Sequence, residues 1–341
     1  MSPSSIPASK KTTSARKKFP TTIVRWVGGK RQLLTEIGNL LPETGRRWIE
    51  PFAGSGIVGL AHGHRCQSQL WADYNPDLIA LYRRVRDNID DFIAEAMPVF
   101  DPANNTKDGF VALRARFNKL VPGEVERLPL FLFLNRSGHN GLVRLNLKGE
   151  LNSGFGKHAS VPLYVDHLLA MSKALQGIEL VHADFREVMR QAGPGDIVYC
   201  DPPYLQAFKS YTQTGFSMTD QVALAFEARA ASERGATVLI SNTDCSVARE
   251  LYAGAVCHQV EAMRYMAPKK ENRGKAQEVL ALYTAAVPAV LPVAVAPVVI
   301  EIAKDDVVRP LIRRRQPSMM RELEPLDAAN DDWFQLMACA G

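Results

Sequence analysis

The sequence predicts an α/β fold in which a parallel sheet is interrupted by an inserted domain. Strand and helix patterns alternate between residues 21 and 75 and resume after residue 178. In the second stretch the apolar run 197–200 ends in an acid, two prolines and a tyrosine, as expected of a buried strand that stops at a ligand-binding edge. Between the two stretches, roughly ninety residues show helical spacing followed by a Gly- and Asn-rich segment.

The elements follow in order. VGGKRQLLTEIGNLL predicts a turn that opens a helix, RRWIEPF a strand, GSGIVGLAH a turn and helix, and SQLWAD a second strand. Apolar residues then recur every three or four positions, which predicts helices in LIALYRRVRDNIDDFIAEAM and DGFVALRARFNKLV. The next segment, LNRSGHNGLVRLNLKGELNSGFGKH, mixes Gly, Asn and cationic residues with short alternating stretches and predicts a β-hairpin.

The second α/β stretch supplies the rest of the sheet. Its predicted elements are the strand IELVHAD, the strand IVYC, a helix over 219–234, the strand TVLISN, the helix SVARELY and a final strand EVLALYTAA. The predicted sheet domain is therefore discontinuous, with 21–75 and 161–284 flanking an inserted domain at 76–160. Residues 1–20 are predicted to be a disordered basic tail, and 285–341 an Ala/Val/Pro linker with a C-terminal tail.

Composition narrows the class of protein. A length of 341 residues with 46% hydrophobic content is typical of a globular chain with one large or two ordinary domains. Eight basic residues and no acid occur among the first thirty-one positions, which leaves either a solvated tail or a phosphate-contacting arm. Five cysteines without a CxxC pair predict free thiols in a reducing compartment, with no disulfide and no zinc. No signal peptide is expected, since Ser, Thr, Pro and Lys dominate the N-terminus, and no membrane span, since three prolines interrupt the uncharged stretch 285–300.

A Gly-rich turn follows the first strand. GSGIVG matches G-x-G-x-x-G, and Asp73 stands nineteen positions after Gly54, which is the spacing of a dinucleotide site. Close backbone approach with an acid for ribose hydroxyls suits any adenosyl cofactor equally, so the match alone does not choose between them. Glu50, which precedes the turn, favours a cofactor that carries positive charge rather than a pyrophosphate. S-adenosylmethionine carries an ammonium and a sulfonium group.

Five segments in order carry a family resemblance. They are RWVGGK, IEPFAGSG, WADYNPDL, NRSGHNGLVRLNLKGELNSGFGKH and DPPY, and LISNTD, the Arg264 segment and EVLALY follow them. Over about residues 22–284 they resemble the Dam-type, D12 class DNA adenine-N6 methyltransferases. The resemblance implies a Rossmann-like S-adenosylmethionine-dependent methyltransferase sheet with an inserted helical and β-hairpin DNA-recognition domain. It makes the discontinuous sheet domain catalytic and the insertion a target-recognition domain.

The resemblance also implies cofactor-binding residues. They are Trp26, Gly28, Gly29 and Lys30 in the first segment, Glu50, Phe52, Gly54 and Gly56 around the Gly-rich turn, and Asp73, Asp184 and Phe185. Asp73 would bind the ribose, while Asp184 and Phe185 would hydrogen-bond and stack the cofactor adenine. Two alternatives stay open, because Trp26 is also suited to the core and Asp184 to an N-cap position.

The DPPY segment supplies the implied catalytic residues Asp201, Pro202, Pro203 and Tyr204. The exocyclic amine of adenine is a poor nucleophile, because its lone pair is delocalised into the ring. The Asp201 carboxylate and the Pro202 carbonyl would accept its two N–H hydrogens and favour a pyramidal nitrogen, while the prolines keep both acceptors rigid. Tyr204 would stack on the base, which must first be flipped out of the duplex.

The Gly/Asn/Arg segment is the predicted DNA-reading surface. The implied DNA-binding residues are Arg25, Asn135, Arg136, His139, Asn140, Leu142, Arg144, Lys148 and Lys157. Arg144 can offer a fork to a guanine edge, Asn140 can pair with a base edge, and Leu142 can contact a thymine methyl. Lys148 and Lys157 are expected at phosphates, which position the protein without reading sequence. The alternative is a cationic hairpin that is merely solvated.

Two residues of this segment depart from the family pattern. His139 stands where the family usually has Tyr or Phe, and Gly154 replaces a proline, so the usual GATC target is open to doubt. Two other functions also stay open: an RNA or protein-amide N-methyltransferase, since related signatures serve those enzymes, and a catalytically silent DNA-binding regulator. The expected partner is double-stranded DNA, with no metal and no membrane. We expect a monomer or homodimer in the cytoplasm, bacterial or phage-encoded.

Overall fold

The computed structural model describes residues 21–26, 28–141, 146, 149–205, 216–264 and 274–284. All of them belong to one compact unit, which includes the segment predicted to be an inserted domain. The predicted basic tail 1–20 and the predicted linker and tail 285–341 lie outside the described residues, as do Leu142, Arg144 and Lys148.

Seven strands form one sheet in the described part of the chain. They are β1 (Gly45–Glu50), β2 (Cys66–Asp73), β3 (Ile178–His182), β4 (Ile197–Cys200), β5 (Thr237–Thr243), β6 (Val256–Arg264) and β7 (Gly274–Tyr283). Their order across the sheet is β3-β2-β1-β4-β5-β7-β6. Neighbours from β3 to β5 are parallel, and β7 runs antiparallel to both β5 and β6. The strand order reverses between β1 and β4, which is the point at which open α/β sheets bind ligands.

Ten α-helices accompany the sheet within the described residues. They are α1 (Leu34–Leu40), α2 (Ile57–His62), α3 (Pro76–Asp87), α4 (Ile89–Ala96), α5 (Lys107–Phe117), α6 (Arg127–Ser137), α7 (Val165–Ala174), α8 (Phe185–Met189), α9 (Met218–Glu233) and α10 (Ser246–Leu251). The α/β fold class predicted from the sequence is confirmed. No helix in the described ranges has the length and apolarity that crossing a membrane requires.

Alternation of side chains along the strands builds a core on each face of the sheet. On β1, Trp48 belongs to one core and Ile49 to the other, and on β4 Tyr199 and Val198 divide in the same way. The first core also takes the aromatic residues of α4, α5 and α6, so the segment 76–160 packs against the sheet rather than standing apart from it. The second core takes α8 and α9. Burial on both faces explains why β4, with the sequence IVYC, is continuously apolar.

The start of the predicted β-hairpin is wrong. The residues LNRS, with which this segment begins, form the end of α6, and the apolar residues of α6 are buried on every side. A helix that is apolar all round is stable where protein surrounds it, so no amphipathic spacing marked it in the sequence. Beyond α6 the described residues form the 3-10 turn His139–Gly141 and an isolated antiparallel bridge between Gly138 and Phe155.

Two further elements differ from the predictions. The long helix expected over LIALYRRVRDNIDDFIAEAM is divided into α3 and α4 at Asn88, whose N–H closes α3 on the carbonyl of Arg84. Strand β6 was indicated only through the resemblance of the Arg264 segment to the family. Its sequence VCHQVEAMR mixes polar and apolar residues, as is typical of a strand at the edge of a sheet.

Candidate active site

Two acids meet at the switch point of the sheet. Glu50 is the last residue of β1, and Asp201 follows directly after β4. The parallel pairing of Trp48 with Ile197 and of Ile49 with Val198 brings the carboxyl ends of these two strands to the same edge. The topology therefore agrees with the prediction that Asp201 follows a strand at a ligand-binding edge, and it brings Glu50 to the same edge.

The Gly-rich turn packs tightly against two tryptophans. Gly54 and Gly56 have φ angles of +48° and +71°, a region that favours glycine. A Cβ on Gly54 would come within 2.6 Å of the Trp26 ring, and one on Gly56 would collide with Trp71. Trp26 is half-buried against the core, so both its predicted site role and its alternative core role are compatible with its position.

The Glu50 carboxylate is an unusual buried group. It is 2% exposed, and within the described residues its Oε2 atom has no hydrogen-bond partner. Burial raises the pKa of Glu50 well above its ordinary value; the N–H of Gly59 opposes the rise, and the charge of Asp201 adds to it. A buried carboxylate with one oxygen atom left unpaired fits a cationic ligand group, such as the ammonium of S-adenosylmethionine.

Asp73 ties the end of β2 to the Gly-rich turn. Its Oδ2 accepts the Gly54 N–H at 3.0 Å, and its Oδ1 accepts the Asn75 N–H at 2.9 Å. Burial raises the pKa of Asp73, and these two N–H groups oppose that rise. A carboxylate has about four acceptor positions, so two backbone donors leave capacity for the predicted ribose hydroxyls.

The predicted adenine-binding pair lies at the start of α8. Asp184 is its N-cap, accepting the Arg186 N–H at 2.8 Å, so the alternative role foreseen for it is present. Phe185 is buried, and its ring stacks on half-exposed Phe52 with 5.3 Å between centroids. The ring centroid of Phe216 lies 5.5 Å from that of Phe185, so the three rings form one aromatic cluster. Stacking of the cofactor adenine on Phe185 stays a prediction, with Phe52 as a second ring available beside it.

Lys30 connects the first glycine segment to the DPPY segment. Gly28 and Gly29 lead into a 3-10 turn that begins at Lys30, and the Lys30 Nζ atom donates to the Gly28 carbonyl at 2.6 Å. The same Nζ lies 2.8 Å from Asp201 Oδ2 and 4.8 Å from the ring centroid of Tyr204. Burial raises the pKa of Asp201, the Lys30 ammonium opposes the rise, and the charge of Glu278 adds to it.

Three side chains that the sequence analysis did not identify form hydrogen bonds with residues 203–205. Gln221 of α9 donates from Nε2 to the Pro203 carbonyl at 2.7 Å, and Asn242 of β5 accepts the Leu205 N–H at 3.0 Å. Asn242 also donates to Gln221 Oε1 at 3.2 Å, so the two buried amides form one unit. Glu278 of β7 accepts the Tyr204 hydroxyl at 2.7 Å. For Asn242 and Glu278 the only sequence signal was a polar residue within an otherwise apolar strand, and Gln221 on α9 had none.

Two of the predicted DNA-binding residues are directed into the protein. Asn135 is 1% exposed; its Oδ1 accepts the Arg25 N–H at 2.8 Å and its Nδ2 donates to the Arg25 carbonyl at 2.7 Å. The Arg136 guanidinium donates to the Ile23 carbonyl at 2.8 Å and lies 5.0 Å from the Tyr164 ring centroid. Both side chains use their polar groups in positioning residues 23–25, and a DNA contact by either of them stays a prediction.

The other described residues of this set are more accessible. Arg25, His139 and Lys157 are exposed, and Arg25 Nη1 donates to the Arg136 carbonyl at 3.0 Å. The side chain of Asn140 is outside the described part of the structure. Lys157 borders a groove of about 510 Å³ that Lys107 and Arg114 also line, so positive charge is concentrated there. Among the described residues no cluster of His, Cys, Asp and Glu could hold a metal ion.

Comparison with known proteins identifies the family. The D12 class N6 adenine-specific DNA methyltransferase family matches residues 26–266. A DNA adenine methylase of Vibrio cholerae is 38% identical over 273 residues, covering 78% of this chain and 97% of that protein. The DNA adenine methylase of Escherichia coli K12 is 36% identical over 265 residues, covering 76% and 94%. The DNA N-6-adenine-methyltransferase of phage P1 is 37% identical over 272 residues, covering 78% and 36%.

These relatives favour methylation of DNA adenine over the RNA, protein-amide and silent-regulator alternatives, and they agree with S-adenosylmethionine as the methyl donor. The chain belongs to the D12 class of N6 adenine-specific DNA methyltransferases.

Proposed function

We propose that the chain methylates an adenine that is flipped out of a short duplex site, GATC or a related sequence, with Asp201 and the Pro202 carbonyl as acceptors for the adenine amine. The observation that carries this proposal is the position of Asp201, which follows β4 beside Glu50, the buried acid that ends β1 and has one unpaired oxygen atom. One acid is thus available to the cofactor and the other to the target base.

Each of the candidate residues has a separate role in the proposed reaction. S-adenosylmethionine, when bound, supplies an electrophilic methyl group on a sulfonium. Glu50 binds its ammonium, Asp73 its ribose, and the Gly54 turn allows close approach of the backbone. Asp201 and Pro202 accept the two amine hydrogens and turn the nitrogen lone pair out of conjugation. The raised pKa of Asp201 also suits it to hold the proton that the methylated amine releases.

Lys30 has a distinct part in this scheme. Its ammonium pairs with Asp201 at 2.8 Å and is 4% exposed, so Asp201 is held in place while no base is present. The ammonium occupies Oδ2 but leaves other acceptor positions of the carboxylate for the adenine amine. Lys30 therefore keeps a half-buried carboxylate charged and oriented.

The DNA-contacting part of the proposal rests on exposed cationic residues. Arg25 and Lys157 are exposed, and the groove lined by Lys107 and Arg114 lies beside the segment that carries Lys157. We assign these residues to phosphates, while base reading falls to Asn140, Leu142 and Arg144. The bacterial and phage origin of the relatives supports action on DNA in a bacterial cytoplasm.

One variant and its control test the role assigned to Asp201. Asp201→Ala is expected to abolish methyl transfer to duplex DNA while calorimetry finds the wild-type affinity for S-adenosylmethionine. Asp90→Ala, which removes an exposed acid on α4, serves as the matched control. Loss of cofactor affinity as large as the loss of activity in Asp201→Ala would place Asp201 in the cofactor site instead.

The target is tested in cells without adenine methylation of their own. Native DNA sequenced after expression is expected to carry N6-methyladenine in a short, mostly symmetric motif that contains a G·C pair. Methylation that follows no motif would contradict the proposed base-reading role of the Gly/Asn/Arg segment.

A further inference from the structure

Glu278 is a buried acid that the cofactor and target roles above do not use. It lies on β7 between two neighbouring strands, opposite Thr243 of β5 and Val260 of β6, and it is 6% exposed. Carboxylates are rarely so buried unless another group pairs with them. Among the described residues, the hydrogen bond found for this side chain goes to the Tyr204 hydroxyl at 2.7 Å.

We propose that Glu278 is a positioning residue for methyl transfer, which fixes the Tyr204 ring against the flipped adenine. This inference rests on the proposed function, since it assigns Tyr204 to the base and Asp201 to the amine.

The geometry restricts the Tyr204 ring at two points. A tyrosine side chain has two rotatable bonds, so an anchor on the hydroxyl at its far end fixes the ring plane. The acceptor is a carboxylate in a site that is largely shielded from water, which makes the hydrogen bond charge-assisted and stronger than a neutral one. The Lys30 ammonium, 4.8 Å from the ring centroid, provides the second contact. Because Tyr204 is three residues after Asp201, holding the ring also holds the DPPY segment.

The charges around Asp201 give Glu278 a second effect. The groups that act on Asp201 are the Lys30 ammonium, the Glu278 carboxylate and the Tyr204 hydroxyl, and Asp201 in turn raises the pKa of Glu50 and of Tyr199. Burial is the largest cause of the raised pKa of Asp201, Lys30 lowers it, and Glu278 raises it further. Removing the Glu278 charge therefore lowers the pKa of Asp201, and the ionised carboxylate persists to a lower pH.

Glu278→Gln and Glu278→Leu separate the two effects. The Gln amide oxygen still accepts from the Tyr204 hydroxyl, so kcat at pH 8 is expected within about threefold of wild type, while the acid limb of the kcat profile moves to lower pH. Glu278→Leu removes the acceptor, and kcat is expected to fall at least tenfold with KM for DNA raised. The Kd for S-adenosylmethionine is expected to stay at the wild-type value in both. Glu261→Gln, an exposed acid on the neighbouring β6, is the control for charge removal.

Tyr204→Phe tests whether the hydrogen bond itself matters. Tyr204→Phe removes the hydroxyl that donates to Glu278, and Glu278→Leu removes the acceptor of the same hydrogen bond. The double variant Tyr204→Phe/Glu278→Leu is therefore expected to have a kcat no lower than that of the slower single variant. Additive losses, an acid limb that does not move in Glu278→Gln, or wild-type kcat in Glu278→Leu would each overturn the proposal. Activity remaining in Asp201→Ala would instead overturn the proposed function, so the two failures are distinguishable.

Discussion

The buried amides Gln221 and Asn242 yield a prediction about how rigid the DPPY segment must be. Gln221→Leu removes the donor to the Pro203 carbonyl and one of the acceptors for Asn242 Nδ2, which keeps its bond to the Tyr252 hydroxyl at 2.8 Å. One polar atom is left unsatisfied, which costs about 1–3 kcal/mol. For a unit of this size that corresponds to a melting temperature lower by roughly 2–10 °C.

The effect on catalysis is expected to exceed the effect on stability. The Pro203 carbonyl is one residue from the Pro202 acceptor, and a misplacement of about 1 Å at a reacting geometry costs about 100-fold in rate. We expect kcat in Gln221→Leu to fall by about 10- to 100-fold with cofactor affinity unchanged, measured by methyl transfer at saturating DNA and by calorimetry. The experiment is run well below the melting temperature of the variant, so that unfolding does not contribute.

Tyr252→Phe is the matched control for this network. It removes a hydrogen bond to the same Asn242 Nδ2 atom but leaves both bonds to the DPPY segment, so it is expected to lower stability by about 1 kcal/mol without lowering kcat. A Gln221→Leu protein that is destabilised yet retains wild-type kcat would refute the reasoning. So would a Tyr252→Phe protein whose kcat falls as far as that of Gln221→Leu.

Three further predictions concern the cofactor and the target. Burial raises the pKa of Glu50, so its contribution favours folding below its unfolded pKa of about 4.3 and is lost as the pH rises through the folded pKa. Glu50→Gln should therefore raise the melting temperature of the cofactor-free protein more at pH 7.5 than at pH 5.5, while calorimetry finds weaker cofactor binding; equal shifts at both pH values would contradict this. Asp73→Ala should weaken cofactor binding by about 1.5–3 kcal/mol for each ribose hydroxyl it binds, and an unchanged Kd would remove Asp73 from the site. Arg144→Ala should cost about 1–3 kcal/mol of discrimination at one base pair, measured by competition between duplexes, whereas a uniform loss on all DNA would indicate a phosphate contact.

Features that depend on neighbouring residues could be predicted from the sequence, whereas those that depend on residues far apart in the chain could not. The strand at 197–200 and the acid after it could be predicted, because an uninterrupted apolar run and its boundary are local features. Gln221, Asn242 and Glu278 could not, because their partners Pro203, Leu205 and Tyr204 lie 18, 37 and 74 residues away in the chain. Helix α6 was missed for a different reason: it is buried all round, so no polar face marked its period.

Asn135 lies in the predicted DNA-reading segment, yet its side chain makes contacts within the protein. Through one side-chain amide it binds both the N–H and the carbonyl of Arg25, as a neighbouring strand would, and its Nδ2 also donates to the Gly141 carbonyl at 3.1 Å. The residue after Arg25 is Trp26, whose ring covers Gly54 in the cofactor turn. The end of α6, the Gly/Asn/Arg segment and the Gly-rich turn are thus joined by direct contacts. A substitution at Gly141 is therefore expected to disturb the backbone that positions Trp26 and to weaken S-adenosylmethionine binding measured by calorimetry without DNA; an unchanged Kd would contradict this coupling.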